Sequence, residues 1–318
     1  MKIIIIFNEK IRLKERTNLK WKKLGIIAGV SLSLVAAGCG PESSDNGENE
    51  TTTNVGEEVD YTLTGIEPGA GITQQADNAL TEYENLSGWE HEVSSTASML
   101  TALDSAIENE EPIVVVGWTP HYMFSQYDIK ILEDPNGVFG DVEHIATIVR
   151  EGLEDDMPDA YAILDSFHWE PEDIEEVMLA ALDIEFEEAA QQWIDENEDT
   201  VNSWTEGTEP VDGTPIELAL TPWDSERASA NVVKLVLEQQ GYDVTLTPVD
   251  PSVMFQAIAT GDADASVAPW LPATHASFYE EYEGEFVDLG ENLTGARNGL
   301  VVPAYMDIDS IEDLEPAE

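Results

Sequence analysis

Three tryptophans stand where an α/β chain would present ligand contacts. Trp118 ends the run Pro112-Ile-Val-Val-Val-Gly-Trp118, Trp223 follows Ile216-Glu-Leu-Ala-Leu-Thr-Pro222, and Trp270 follows Ala263-Asp-Ala-Ser-Val-Ala-Pro269. An indole face is the best aromatic partner for a cation that has no N–H to donate, at about 0.5–2 kcal/mol per contact. The turn Pro68-Gly69-Ala70-Gly71-Ile72 precedes a helical stretch. Its amides can point outward at a helix start and meet an anion. His275 can donate one more hydrogen bond.

Each of these residues, taken singly, has a plainer reading. Trp118 follows an apolar strand and can be core, and Trp223 and Trp270 each follow a proline and can plug a lobe. Glycine turns mostly connect elements. His275 alone reads as a helix-start or surface residue, and His121 and Tyr122, beside Trp118, read as support. Gly261-Asp-Ala-Asp264 lacks the alternating ligands and closing Glu of a calcium loop and reads as a turn.

The elements that would carry these residues occur twice. Tyr61–Ile66 reads as a strand, 73–84 as a helix, 89–93 as a strand, 96–107 as a helix, and 112–116 as a buried strand ending at Gly117-Trp118. The second copy runs as a strand at 216–220, a helix at 226–240 capped by Ser225 and ended by Gly241, and a strand at 242–247. A helix from Asp250-Pro251 to Gly261 and a strand at 263–267 complete it. Trp118 and Trp270 fall at matching places, 152 residues apart. Strand–helix alternation in two copies means two α/β lobes, with ligands beyond the carboxyl ends of the strands. Between the copies, 158–205 reads as helices, and Trp169, Trp193 and Trp204 on their apolar stripes read as packing residues.

The 318 residues include 66 acidic and 13 basic side chains, a net charge of −53. Nucleic acid is excluded as a partner, because phosphate binding needs clustered Lys and Arg. Docking on anionic lipid by a basic patch is excluded on the same ground. Eight basic residues precede Cys39; the remaining five face 64 acidic ones, a net −59. The basic start, the uncharged run Leu24–Ala37 and the small residues before Cys39 describe a secretory signal over 1–38. Residues 1–19 are long for an n-region and are a candidate start-site extension. Cys39 is the only cysteine, and Ala36-Ala37-Gly38-Cys39 resembles a bacterial lipoprotein cleavage motif, which implies lipid on its sulfur. Residues 39–60 read as the lipidated Cys and an acidic flexible tether.

Six segments resemble the glycine-betaine-binding lipoproteins of osmoprotectant ABC importers, in that family's order. They are Ile66–Ile72, Gly117-Trp-Thr-Pro-His121, Trp223-Asp-Ser225, Ala259–Ala265, Trp270-Leu-Pro-Ala-Thr-His275 and Gly299-Leu-Val-Val-Pro303. The resemblance implies a two-lobe type II periplasmic-binding-protein fold with the ligand cleft between lobes. It implies no chemistry and no cofactor. The expected partners are glycine betaine or a related zwitterion, an ABC permease with its ATPase subunits, and the outer face of the membrane through Cys39. Trp118, Trp223 and Trp270 would cage the trimethylammonium; the amides of Gly71 and Ile72 and the side chain of His275 would take the carboxylate. Lobe 1 is expected over 61–145 plus 296–318, and lobe 2 over 146–295. Tyr122 stands where the family commonly has another Trp, and Pro222 and Pro269 precede the cage residues, which leaves the preferred betaine open.

Three other functions compete. A choline or other quaternary-amine receptor would leave the amides and His275 without an anion. A hydrolase would need a motif such as G-x-S-x-G or H-E-x-x-H, and neither is present. A non-transport surface lipoprotein would leave the Trp-bearing strand ends without a role. The acidic body suits a salt-loving bacterium, since salt screens carboxylates that repel in dilute buffer.

Overall fold

A computed structural model describes residues 54–317. The signal segment, Cys39 and the tether up to residue 53 lie outside the described residues. Residues 54–60, expected as tether, instead carry one helical turn, Val55–Glu58, with Asn54 capping it and Val55 and Val59 packed on the core. Two valines four residues apart give this stretch an apolar side that a solvated linker would lack.

Ten strands form the sheet framework of the described residues. They are β1 (Thr62–Thr64), β2 (Glu90–Glu92), β3 (Val115–Thr119), β4 (Ile129–Ile131), β5 (Glu143–Arg150), β6 (Thr214–Leu220), β7 (Tyr242–Pro248), β8 (Ala265–Ser266), β9 (Trp270–Leu271) and β10 (Phe286–Pro303). Their order is β2-β1-β3-β10-β5-β8-β6-β7, with β4 on β10 and β9 on β5. Read from its outer edge, each half has the same plan. β2-β1-β3 are parallel and meet antiparallel β10; β7-β6-β8 are parallel and meet antiparallel β5. The duplicated sequence pattern is thus a duplicated topology, the two-lobe α/β fold.

β10 joins the halves. Phe286 through Ala296 pairs with β5, and from Arg297, opposite Thr119, the strand pairs with β3. Three register shifts between Asp288 and Ala296 bend it on the way. β5 begins at Glu143 and pairs entirely with the second half, three residues ahead of the lobe boundary expected at 146.

The central strands are buried as parallel strands must be: Val114, Val115 and Val116 are inaccessible to solvent. The helix Asp224–Gln239 hides Ala228, Val232, Val233 and Leu237 against this framework. Between β5 and β6 lie five helices, Leu153–Asp156, Pro158–Ser166, Pro171–Ala180, Phe186–Glu196 and Glu198–Trp204. Trp169, Trp193 and Trp204 pack with Phe167 in one aromatic cluster, with centroids 5.1–5.9 Å apart. Asp264 accepts from Arg150 Nε at 2.7 Å and from the Glu217 amide at 2.8 Å, so the Gly261–Asp264 turn is a structural tie.

One expected cap is displaced. The second-lobe helix starts at Asp224, with Trp223 at its N-cap position making no side-chain cap bond. Ser225 Oγ instead donates to Glu226 Oε2 at 2.8 Å. Ser225 is the second residue of the helix, past the position from which a side-chain oxygen can accept from the first-turn amides.

Candidate functional site

The carboxyl ends of the strands converge on one small cavity. Trp118 comes from the end of β3, Trp223 from the turn after β6, and Trp270 from β9. Gly71 and Ile72 come from the turn after β1, and His275 from the residues after β9. All six residues singled out in the sequence line this space. Trp118 and Trp270 are buried, while Trp223 is half-buried at the rim.

Two indoles are fixed by carboxylates that sequence reading did not single out. Trp223 Nε1 donates to Glu67 Oε2 at 3.2 Å. Glu67 also accepts from the Thr96 amide at 2.9 Å and from Thr96 Oγ1 at 2.8 Å. Burial pushes the Glu67 carboxyl up, but these hydrogen bonds outweigh it and leave it below the usual range. Trp270 Nε1 donates to Glu226 Oε1 at 2.7 Å. Glu226 is buried and lines the cavity. Burial pushes its carboxyl up to about 7, against the opposing bonds from Ser225, its own amide and Trp270. Both carboxylates orient a ring through its N–H, which leaves the ring face free.

The anion end has matching order. Gly71 and Ile72 occupy the first two positions of the helix Gly71–Glu82, where amides have no intrahelical acceptor and the dipole is positive. His275 Nδ1 accepts from the Trp270 amide at 3.0 Å, so in the neutral ring the proton sits on Nε2. Burial holds the imidazole down at about 4 and keeps it neutral near pH 7. His275 is therefore a neutral Nε2–H donor.

A second set of contacts joins the halves around the cavity. The Ala273 and Thr274 amides donate to Glu143 Oε1 at 2.7 and 2.8 Å, and Thr274 Oγ1 bonds Glu143 Oε2. Asn298 Nδ2 donates to Gln75 Oε1 at 2.9 Å and to Thr274 Oγ1 at 2.7 Å. This chain fixes the loop that carries His275. His121 lies edge-on to Trp118 with centroids 4.8 Å apart and packs against Tyr122 at 4.4 Å with the rings tilted by 30°. Its Nδ1 accepts from the Met123 amide at 3.2 Å, and burial pushes it down to about 3.

No signal marked Glu67 or Glu143 among 66 acidic residues. Glu226 had one: at helical spacing it shares a face with Ser229, Ala230, Val233 and Leu237, all buried. A charged residue on the buried face of an amphipathic helix asks for a partner. Among the described residues no group of three or more His, Cys, Asp or Glu could hold a metal.

Two duplicated α/β lobes with an aromatic cavity at their facing strand ends define a binding protein of the kind that serves ABC importers. Residues 44–196 and 214–318 match the family described as the substrate binding domain of ABC-type glycine betaine transport systems. The chain is 48% identical over 268 residues to the glycine betaine/carnitine transport binding protein of Listeria monocytogenes, across 83% of this chain and 89% of that one. The chain belongs to this glycine betaine transport binding-domain family, a family of transport proteins rather than enzymes, acting outside the cytoplasm. Two solved structures are also similar. Lactococcal OpuAC, closed around glycine betaine, is 44% identical, with a TM-score of 0.45 over 46% of this chain. The glycine betaine/L-proline-binding protein of Borrelia burgdorferi is 35% identical, with a TM-score of 0.45 over 48%. This chain spans 58% of each of those two. No helix among the described residues is long and apolar enough to cross a membrane.

Proposed function

We propose that this protein captures glycine betaine, or a closely related betaine, between its lobes and delivers it to an ABC permease for osmoprotection. One observation carries the reading: three indoles from strand ends of both halves share a small cavity with two free helix-start amides and a neutral histidine donor. A trimethylammonium cannot donate an N–H hydrogen bond, so ring faces are its natural partners, at about 0.5–2 kcal/mol per contact. Trp118, Trp223 and Trp270 would enclose it. The ligand's carboxylate would lie on the Gly71 and Ile72 amides and His275 Nε2–H, where the helix dipole favours an anion. Lobe closure brings the two groups of residues together.

The lobes are read as 61–145 plus 296–318, and 146–295; the change of partner along β10 at Ala296–Arg297 supports the second crossing, and the start of β5 moves the first to Glu143. Lipid on Cys39 would hold the protein at the outer face of the cell membrane, a reading supported by the unique cysteine behind a basic and apolar leader. Mass spectrometry of the membrane fraction tests it: wild-type protein should carry acyl chains, and Cys39→Ala should leave the membrane.

Choline is the second reading, favoured by one observation, the carboxylate of Glu226 beside the cage. Titrations with glycine betaine, choline and proline betaine, followed by tryptophan fluorescence and calorimetry at several salt concentrations, separate the two. Glycine betaine should bind in the micromolar range and change the fluorescence. No response from folded protein refutes the betaine reading, and choline outcompeting betaine replaces it.

A further inference from the structure

We infer that Glu226 is the ionic member of the cage: its carboxylate supplies the fixed counter-charge for the quaternary ammonium and makes the site select a charged head group over an uncharged one of the same shape. The inference rests on the proposed ligand class. Ring faces already favour a trimethylammonium over a tert-butyl group of the same shape, at about 0.5–2 kcal/mol per contact, but they carry no net charge. A buried carboxylate on the wall adds a full counter-charge to that preference. It attracts the cation at low dielectric, and it loses its water when the cavity closes whether or not a cation arrives.

The geometry fits this role beyond ring support. Both carboxylate oxygens have a donor in place, Trp270 Nε1 at 2.7 Å from Oε1 and Ser225 Oγ at 2.8 Å from Oε2, so the ionised form is hydrogen-bonded at both oxygens when a cation draws the proton off. No Lys or Arg is among the residues lining the cavity. The charged and titratable groups around Glu226 are mostly acidic or neutral. On its own helix lie Asp224, which raises its carboxyl, and Arg227, which sits 3.8 Å from Asp224. From the turn after β1 comes Glu67, on Trp223. From the turn after β3 come His121, 3.9 Å from Asp224, and Tyr122. From the loop after β9 comes His275. The two histidines are held at about 3 and about 4, and Tyr122 is pushed up to about 12, so none of these three titrates between pH 6 and 8. Glu226, raised to about 7 by burial, does.

A cation beside Glu226 favours its ionised form, so binding must release a proton near pH 7 and affinity must rise with pH. With the free carboxyl half-protonated at pH 7 and the bound one ionised throughout, linkage gives roughly a tenfold tighter Kd at pH 8 than at pH 6. The test uses calorimetric titration of glycine betaine against its carbon isostere 3,3-dimethylbutanoate, in wild type and Glu226→Gln. The Gln keeps an acceptor for Trp270 Nε1 and a similar shape. Betaine should bind wild type roughly tenfold tighter at pH 8 than at pH 6, while the isostere shows no such rise. Glu226→Gln should flatten the betaine profile and cut the preference for betaine over the isostere by at least about tenfold at pH 8. If that variant does not fold, titrating wild type at pH 7 in phosphate and in Tris decides, with release of about half a proton per betaine expected. Unchanged preference with a flat wild-type profile, or no proton release, overturns the inference while leaving the betaine reading intact. A wild type that ignores betaine but binds choline with the same pH rise overturns the ligand and keeps Glu226. Binding of neither overturns both.

Discussion

Substituting Gly71 by Ala isolates closure from folding. Gly71 is the first residue of its helix and is not in the left-handed region, so its backbone accepts a Cβ. On helix propensity alone, Ala would stabilise this lobe, by up to about 1 kcal/mol in a helix interior and less at the first position. The obstacle lies across the cleft. A Cβ here would sit 2.3 Å from the Thr274 carbonyl oxygen and 2.6 Å from Thr274 Cγ2. Thr274 cannot swing aside freely, because its amide and hydroxyl are both tied to Glu143 and its Oγ1 also accepts from Asn298. Separating the two segments would draw the helix amides away from His275. An overpacked contact of this kind costs about 1–3 kcal/mol, and it is met only when the lobes are together.

The expected result is a division between two assays. Calorimetry should show betaine affinity reduced roughly 5- to 150-fold, since every 1.4 kcal/mol is a factor of ten. The melting temperature of the ligand-free protein should stay the same or rise slightly. A Gly71→Ala protein that binds betaine within twofold of wild type would refute the argument that this glycine is needed for close approach. A large drop in ligand-free melting temperature would show that the contact belongs to the unliganded fold instead.

Trp223→Ala should weaken betaine binding by at least about 2- to 30-fold, the value of one cation–π contact, with little effect on melting. Trp193→Ala, in the aromatic cluster of the helical segment, should destabilise the protein by about 3–5 kcal/mol and leave the affinity of the folded fraction unchanged. Burial holds His121 neutral, so the unfolded chain takes up its proton first as pH falls from 6.5 towards about 3. His121→Asn, which keeps an acceptor for the Met123 amide, should therefore lose about 1.4 kcal/mol less stability per pH unit across that window in parallel denaturant titrations. Equal slopes would show that His121 is charged in the fold. With 64 carboxylates against five basic groups after Cys39, melting temperature should rise from low to molar NaCl as the Debye length shrinks to about 3 Å. A fall would contradict the salt-loving reading.

The architecture was legible because it was written twice. Apolar strands ending in Gly-Trp or Pro-Trp, helices closed by Gly241 and Gly261, and the matching spacing of Trp118 and Trp270 each repeat a local rule in a second place. Boundaries were less legible. β3 runs to Thr119 rather than stopping at Val116, because its partner β10 continues alongside through Arg297. The helix after β1 starts at Gly71 rather than Thr73, since the positions that free amides for a ligand carry no capping side chain to announce them. The three tryptophans stood out because, at eight in the chain, Trp is scarce enough for position to mean something, whereas Gly71, Ile72 and His275 were expected from the family resemblance. Glu67 and Glu143 were hidden by abundance, and only partners distant in sequence give them roles: Trp223 lies 156 residues from Glu67, and Thr274 lies 131 from Glu143.

That concealment bears on how so acidic a protein can hold a ligand of no net charge. A field from dozens of surface carboxylates acts on both ends of a zwitterion with opposite sign, so to first order it cancels and adds nothing to affinity. Selectivity has to come from groups close enough to address one end at a time. Here those groups are dry and individually tied. Helix-start amides and a neutral imidazole donor stand at one end. At the other stand indoles whose N–H groups are occupied by Glu67 and Glu226, so that only their faces are presented. Because salt screens exposed charges over more than a Debye length and buried pairs much less, the site and the surface answer differently to ionic strength. Raising salt should therefore change the stability of the body far more than the affinity of the cavity, which is the separation a receptor needs if its ligand is wanted most when salt is high.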